Sequence, residues 1–363
     1  MKVLFITGSL NQGGAEFQLL AHAKLFQEKG NEVEVLALTD YSFYKSYVDN
    51  NNLIYSHFRN DQSKIKRVFL TAKKIREYKP DLIISYLKAV SQVAIVARIL
   101  SAYNAELIVA ERTSLIRATH DKYYFNLIRL SDSISVNSLS KLNYIKENFP
   151  FLKNKIHFFP NVVDVCEYPM RNTKVARDPK RLVYVGRIAR EKNVEVLVHA
   201  VHQVLAQGYE IELELYGDSR DTSYLERVQS AIGEEIRIKM MGKTDNVSNV
   251  YLKADLLCLL SDYEGFSNVL SEALCHGLPV ITSKIEENQF LIEHCANGYL
   301  VNPRKPESVA KGIIAFLNLS LKQVEAMSTN NRRKAEKIFD RDALYQKYCQ
   351  ILIKNKESNT QFK

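Results

Sequence analysis

The chain has 363 residues, 46% of them hydrophobic and 25% charged, a make-up that excludes a disordered or fibrous protein. That length exceeds the usual single core, so two α/β domains of about 150 to 200 residues each are expected. The net charge of +9 at pH 7 points to an anionic partner, and residues 1–165 carry most of it, with 22 Lys and Arg against 15 Asp and Glu.

The opening MKVLFITGSL holds a short apolar run that breaks at Gly8. It reads as a first strand and not as a signal peptide. Further strand signals in the first half fall at residues 33–38, 82–85, 107–110, 133–136 and 156–159, with helical patterns between them. In one such pattern Ile65, Val68, Phe69, Ala72 and Ile75 recur at spacings of three and four, which predicts a single buried helix face. The polar stretch 167–180, EYPMRNTKVARDPK, has two prolines and no period, and is expected to be a linker. Alternation then resumes, with strands expected at residues 182–185, 211–216, 236–240, 256–260, 280–282 and 299–301 and a helix over residues 194–205. The reading is α/β throughout: a Rossmann-like domain over 1–166, the linker, and a second over 181–340, facing each other across a cleft.

No run approaches the roughly 20 apolar residues of a membrane span. Cys166, Cys258, Cys275, Cys295 and Cys349 form no CxxC pair, and His276 and His294 beside two of them match no zinc spacing. A cytoplasmic chain with reduced thiols and no bound metal is therefore expected. The positive charge comes without a recognisable nucleic-acid module, so no nucleic-acid partner is expected.

Chemistry concentrates in three loops that follow strands. EGFSNVLSE, residues 264–272, comes directly after an apolar strand. Gly265 permits a turn, Ser267 can cap a new helix, and the helix start near Asn268 and Val269 suits a phosphate. Glu264 and Glu272 are poor phosphate ligands but can accept hydrogen bonds from sugar hydroxyls on either side of a diphosphate. YVGRIAREKN, residues 184–193, supplies Arg187 and Lys192, two cations able to meet the same diphosphate, each charge-assisted bond contributing about 1.5 to 3 kcal/mol. GSLNQGGAEFQLL, from Gly8 onward, carries Gly13, Gly14 and Glu16 but not the GxGxxG fingerprint, which argues against a dehydrogenase.

The stretch SDYEGFSNVLSEALCHGLPVITS resembles the donor-binding signature of family 4 of the retaining glycosyltransferases, whose two-Rossmann architecture is called GT-B. The resemblance implies a nucleotide diphosphate sugar, by preference a UDP hexose or N-acetylhexosamine, as donor. Glu264 would hold the donor sugar and Glu272 the ribose. Gly186, Arg187 and Lys192 would lie at the diphosphate, with Gly265, Phe266, Ser267, Asn268 and Val269 opposite them. Transfer would proceed with retention, the leaving diphosphate taking the acceptor proton, so that Arg187, Lys192 and Glu264 form the catalytic set without any cofactor or metal.

Further segments extend the likeness over essentially the whole chain. GKTDNV places Lys243 and Thr244 at the base, GGAE resembles the loop closing over the phosphates beside the acceptor, and FFPNVVD resembles the end of the N-terminal domain. VAERTSL resembles a loop of enzymes that build bacterial surface glycans such as lipopolysaccharide or capsule, which puts Glu111 and Arg112, with Glu16, on the acceptor side. The C-terminal stretch 341–363 fits a helix crossing back to the N-terminal domain. One departure is plain: where many members have a histidine after the fourth strand, this chain has Ser85, Tyr86 and Leu87.

Enzymes similar to this one often act on lipid-diphosphate acceptors at the inner membrane face. The cations Lys64, Lys66, Arg67, Lys73, Lys74 and Arg76 on the helix near residue 70 fit peripheral contact with an anionic membrane surface. Two other readings share the architecture: a nucleotide-sugar epimerase, for which the EGF…E signature is atypical, and a catalytically silent sugar-nucleotide binder serving a partner enzyme.

Overall fold

In the computed structural model, residues 1–112, 122–173 and 178–361 are described. The chain divides into two compact units, Met1–Val162 with Asp340–Lys363, and Val163–Phe339. Within the expected linker, residues 174–177 lie outside the described residues, as do Thr113 to Leu115 of VAERTSL and the last two residues of the chain.

The first unit is built on seven strands: β1 (Lys2–Thr7), β2 (Glu32–Ala37), β3 (Ile54–His57), β4 (Leu82–Tyr86), β5 (Glu106–Glu111), β6 (Ser133–Val136) and β7 (Ile156–Phe158). They pair in parallel in the order β3-β2-β1-β4-β5-β6-β7. Because every crossover is helical, both faces are covered, and alternate residues of one strand feed different cores. Leu4 and Ile6 bury against Ala94 and Ile95 on one side, while Val3 and Phe5 bury with Leu20, Phe26 and Tyr348 on the other. Edge strand β3 has no sequence signal, since IYSH is short and half exposed.

Helix Lys64–Tyr78 departs from the expected face. Its buried side is Thr71, Ala72 and Ile75 with Val68 half-buried, whereas Ile65 is 71% and Phe69 58% exposed. At 100° per residue, the buried arc is centred nearer Thr71 and Ile75, which leaves Ile65 and Phe69 on its outer edge.

The last helix, Arg341–Gln361, belongs to this first unit. Tyr348 is fully buried and stacks on Phe159 at 4.1 Å, and Lys347 Nζ donates to the Phe158 carbonyl at 2.6 Å.

The second unit has six parallel strands: β8 (Lys180–Val185), β9 (Ile211–Tyr216), β10 (Ile238–Gly242), β11 (Leu256–Leu259), β12 (Val280–Ser283) and β13 (Gly298–Val301). Their order is β10-β9-β8-β11-β12-β13. Helix Val194–Leu205 buries Val194, Leu197, Val198, Val201 and Val204. Neighbours β8 and β11 put their carboxyl ends side by side, where an open parallel sheet presents its ligand loops. The two loops that leave them are YVGRIAREKN and SDYEGFSN.

Candidate active site

The β8 and β11 loops enclose a cavity of about 280 Å³ lined by Val185, Gly186, Arg187, Lys192, Leu259, Glu264, Phe266, Ser267, Asn268 and Val269. Gly265 and Phe266 make the bend before helix Asn268–Cys275. Ser267 caps that helix, its hydroxyl accepting from the Leu270 N–H at 3.2 Å, so the positive end of the helix dipole lies at the cavity.

Glycine is required where β8 and β9 end. Gly217 has φ +143°, and a Cβ there would sit 1.8 Å from the Gly186 carbonyl oxygen. Gly186 has φ +148°, with the Tyr184 hydroxyl 3.2 Å from where its Cβ would be. The close passage of these two backbones shapes the wall that carries Arg187.

The charged groups are paired. Lys192 Nζ donates to Glu264 Oε1 at 2.6 Å and to Ser261 Oγ at 3.3 Å, while the Ser261 hydroxyl donates to the same Glu264 oxygen at 2.7 Å. The Lys192 and Glu264 side chains are only 15% and 14% exposed, so desolvation strengthens their attraction. Arg187 is half exposed, and its Nη2 donates to Glu191, four residues on, at 3.1 Å.

Glu272 is not among the lining residues. It lies beside Tyr251 and Tyr168, and burial raises its carboxyl to about 7, with the Tyr251 hydroxyl acting in the opposite sense. Lys243 and Thr244 follow β10, also away from the lining. Lys243 pairs with Asp218 at 2.9 Å, and the Thr244 hydroxyl accepts from the Asn246 N–H at 3.2 Å.

The remaining expected residues lie in the first unit. Gly13 precedes helix Gly14–Glu28, and a Cβ on it would approach Glu16 Oε2 to 2.3 Å. The Tyr44 hydroxyl donates to the Gly13 carbonyl at 3.1 Å, and burial raises the Glu16 carboxyl. Glu111 and Arg112, expected toward an acceptor, are 3% and 9% exposed. Glu111 accepts from Lys141 Nζ at 2.6 Å and from the Tyr124 hydroxyl, and Arg112 lies over the Tyr86 ring at 5.2 Å. Both side chains are taken up by the interior of their own unit, because a carboxylate this deep needs a cation beside it.

Three residues carried no signal of their own in the sequence. Ser261 and Asn193 are ordinary polar residues until the loops meet, where Asn193 Nδ2 donates to the Leu260 carbonyl at 2.8 Å and to Asp262 Oδ1 at 3.0 Å. Leu87, at the departure from the histidine pattern, takes φ +72° and ψ 146°, a conformation that costs a branched side chain about 1 to 3 kcal/mol. Among the described residues, no cluster of three His, Cys, Asp or Glu is placed to hold a metal, and no helix is long and apolar enough to cross a membrane.

Two parallel-sheet units with helical crossovers make the GT-B architecture, and the strand-end loops of the second gather two cations, a capped helix start and a carboxylate. Residues 170–334 match the family described as Glycosyl transferases group 1. The chain is a glycosyltransferase, and the stretch that matches this family lies within its second unit. Over 99% of its length it is 26% identical to all of the Campylobacter jejuni GalNAc-alpha-(1->4)-GalNAc-alpha-(1->3)-diNAcBac-PP-undecaprenol alpha-1,4-N-acetyl-D-galactosaminyltransferase. Among solved structures, Anabaena HepE in complex with UDP and glucose aligns with a TM-score of 0.82 at 21% identity, covering 97% of this chain and 99% of that one. The pneumococcal O-GlcNAc transferase GtfA in complex with UDP and GlcNAc aligns at 0.76 with 16% identity, covering 98% and 99%.

Proposed function

We propose that this glycosyltransferase moves a hexose or N-acetylhexosamine from a UDP sugar to a glycan or lipid-diphosphate-linked acceptor during surface polysaccharide assembly, with retention at the anomeric carbon and without a metal. The observation that carries the reading is the convergence of Arg187, Lys192, Glu264 and the Ser267-capped helix start on one cavity. Charge develops on the diphosphate as the glycosidic bond breaks, and preorganised cations and a helix dipole stabilise it most in the transition state. Glu264, already oriented by Ser261 and Lys192, accepts from a donor-sugar hydroxyl. With Arg187 and Lys192 supplying the positive charge, no divalent ion is needed. The relatives add chemical direction: UDP stands in the names of both structural neighbours, and the Campylobacter enzyme's name specifies an N-acetylhexosamine and an undecaprenyl diphosphate.

The membrane reading draws on helix Lys64–Tyr78, where exposed Ile65 and Phe69 share a face with exposed Lys66, Lys73 and Arg76. An apolar edge flanked by cations suits the headgroup region of an anionic bilayer.

A thermal-shift panel of nucleotide sugars tests the donor, because a bound donor raises the melting temperature by mass action. Nuclear magnetic resonance of the product reads the anomeric outcome, and turnover in EDTA reads the metal. Preference for a non-uridine donor, an inverted product or loss of turnover in EDTA would each remove the corresponding part of the proposal.

A further inference from the structure

The geometry points to Asp262 as a positioning residue that sets Lys192 in register with Glu264, with Arg304 holding Asp262 in turn. This rests on the functional reading above and names a residue that it does not use.

Two loops must be indexed to each other for the cavity to work. One carries Arg187 and, in a single short turn of helix, Lys192, and the other carries Glu264. Asp262 joins them twice. Its N–H donates to the Glu191 carbonyl at 2.8 Å, within the short helix Arg190–Lys192. Its Oδ1 accepts from Asn193 Nδ2 at 3.0 Å, and the same Asn193 amide donates to the Leu260 carbonyl at 2.8 Å. Asn193 has φ +52°, a left-handed conformation that Asn tolerates when its side chain is tied locally. The residue next to Lys192 is thus pinned to the strand end that leads to Glu264.

Arg304, after β13, completes the arrangement. Its Nε donates to Asp262 Oδ1 at 3.0 Å and its Nη2 to Oδ2 at 3.3 Å, a two-point grip that fixes the plane of the carboxylate. Asp262 does not line the cavity around Lys192. It touches no donor atom in this reading and acts only through the loop it holds. Small displacements of a charge that stabilises a transition state cost rate before they cost ground-state binding.

The test is steady-state kinetics and melting temperature on the full chain for Asp262→Ala, Asp262→Asn, Lys192→Ala and the double variant Asp262→Ala with Lys192→Ala, using the donor selected by the panel. Asp262→Ala is expected to lower kcat about tenfold, leave donor KM within about threefold and keep the protein folded at the assay temperature. Asp262→Asn, which retains an oxygen for Asn193, recovers part of the loss. Because Asp262 acts through Lys192, the double variant should be no slower than Lys192→Ala alone. A wild-type kcat for Asp262→Ala, or losses that multiply in the double variant, overturns the inference. The two failures are separable: a normal Lys192→Ala ends the reading of the site, and a slow Lys192→Ala beside multiplying losses ends only the role of Asp262.

Discussion

Lys192 and Glu264, 72 residues apart, meet at 2.6 Å across the mouths of two adjacent strands, with Ser261 bonded to both. In the proposed reading each residue has its own task toward the donor, and their ion pair sets one charge against the other. On that reading a diphosphate at Lys192 would compete with Glu264, and the carboxylate it released would become available to a sugar hydroxyl.

Glu264→Gln separates the two tasks. Removing the carboxylate charge frees Lys192, so UDP without its sugar should bind as tightly as before or more tightly by calorimetry. Turnover of the UDP sugar should fall about a hundredfold, because the carboxylate is lost from the sugar. Weaker UDP binding together with unchanged turnover would show that the assignment is reversed.

Arg187→Ala offers a clean catalytic test, because the side chain is 49% exposed and bonds only Glu191 among the described residues. An exposed pair of this kind contributes about 0.5 kcal/mol or less to stability. Denaturant midpoints should be nearly unchanged while kcat drops about a hundredfold or more. Normal kcat would remove Arg187 from the leaving-group role.

Glu272 predicts a pH response near neutrality. Its carboxyl is raised to about 7 by burial, above an ordinary value near 4.5, so the folded protein holds this proton more tightly than the unfolded chain. The stability it contributes is therefore lost as pH rises from about 4.5 through 7. In the proposed reading the ribose hydroxyls bond the deprotonated carboxylate, so donor affinity should strengthen as pH rises through about 7. Isothermal titration at pH 6 and 8 reads this directly, and Glu272→Gln should flatten both trends. A pH-independent affinity in the native enzyme would contradict the ribose assignment.

Gly217→Ala should be among the most damaging single-methyl changes in the second unit. Its Cβ would stand 1.8 Å from the Gly186 carbonyl oxygen, and the backbone at φ +143° disfavours any side chain. Urea unfolding should register a loss of at least about 2 kcal/mol, and surviving folded protein should have impaired donor binding because Gly186 lines the cavity. A loss below about 0.5 kcal/mol would mean that the two backbones separate easily.

Ile65 and Phe69 allow the membrane reading to be tested apart from catalysis. Vesicles with anionic lipid should carry the protein in flotation, and neutral vesicles should not. Ile65→Ser with Phe69→Ser should reduce flotation without lowering the melting temperature, since both side chains are mostly exposed. Equal flotation on both lipid types would remove the electrostatic part.

Periodicity and strand-end loops made much of this enzyme legible before any coordinates. Buried parallel strands must be apolar along their whole length, so β1, β4, β8 and β11 announce themselves, and helix Val194–Leu205 shows its stripe directly. The residue types at the β8 and β11 loops, Arg187 with Lys192 and Glu264 with Ser267, also follow from local chemistry, because the proposed diphosphate calls for cations and a helix start.

Tertiary structure decided which of those groups touch. Nothing local separates Glu111, consumed by buried Lys141 and Tyr124, from Glu264, which lines a cavity. Nor does the periodic spacing of Ile65 and Phe69 reveal that the buried arc of their helix stops short of both. The physical reason is the same in both cases. Local pattern sets what a side chain can do, whereas desolvation and pairing depend on partners brought in from distant parts of the chain, and those partners are chosen only when the sheets assemble.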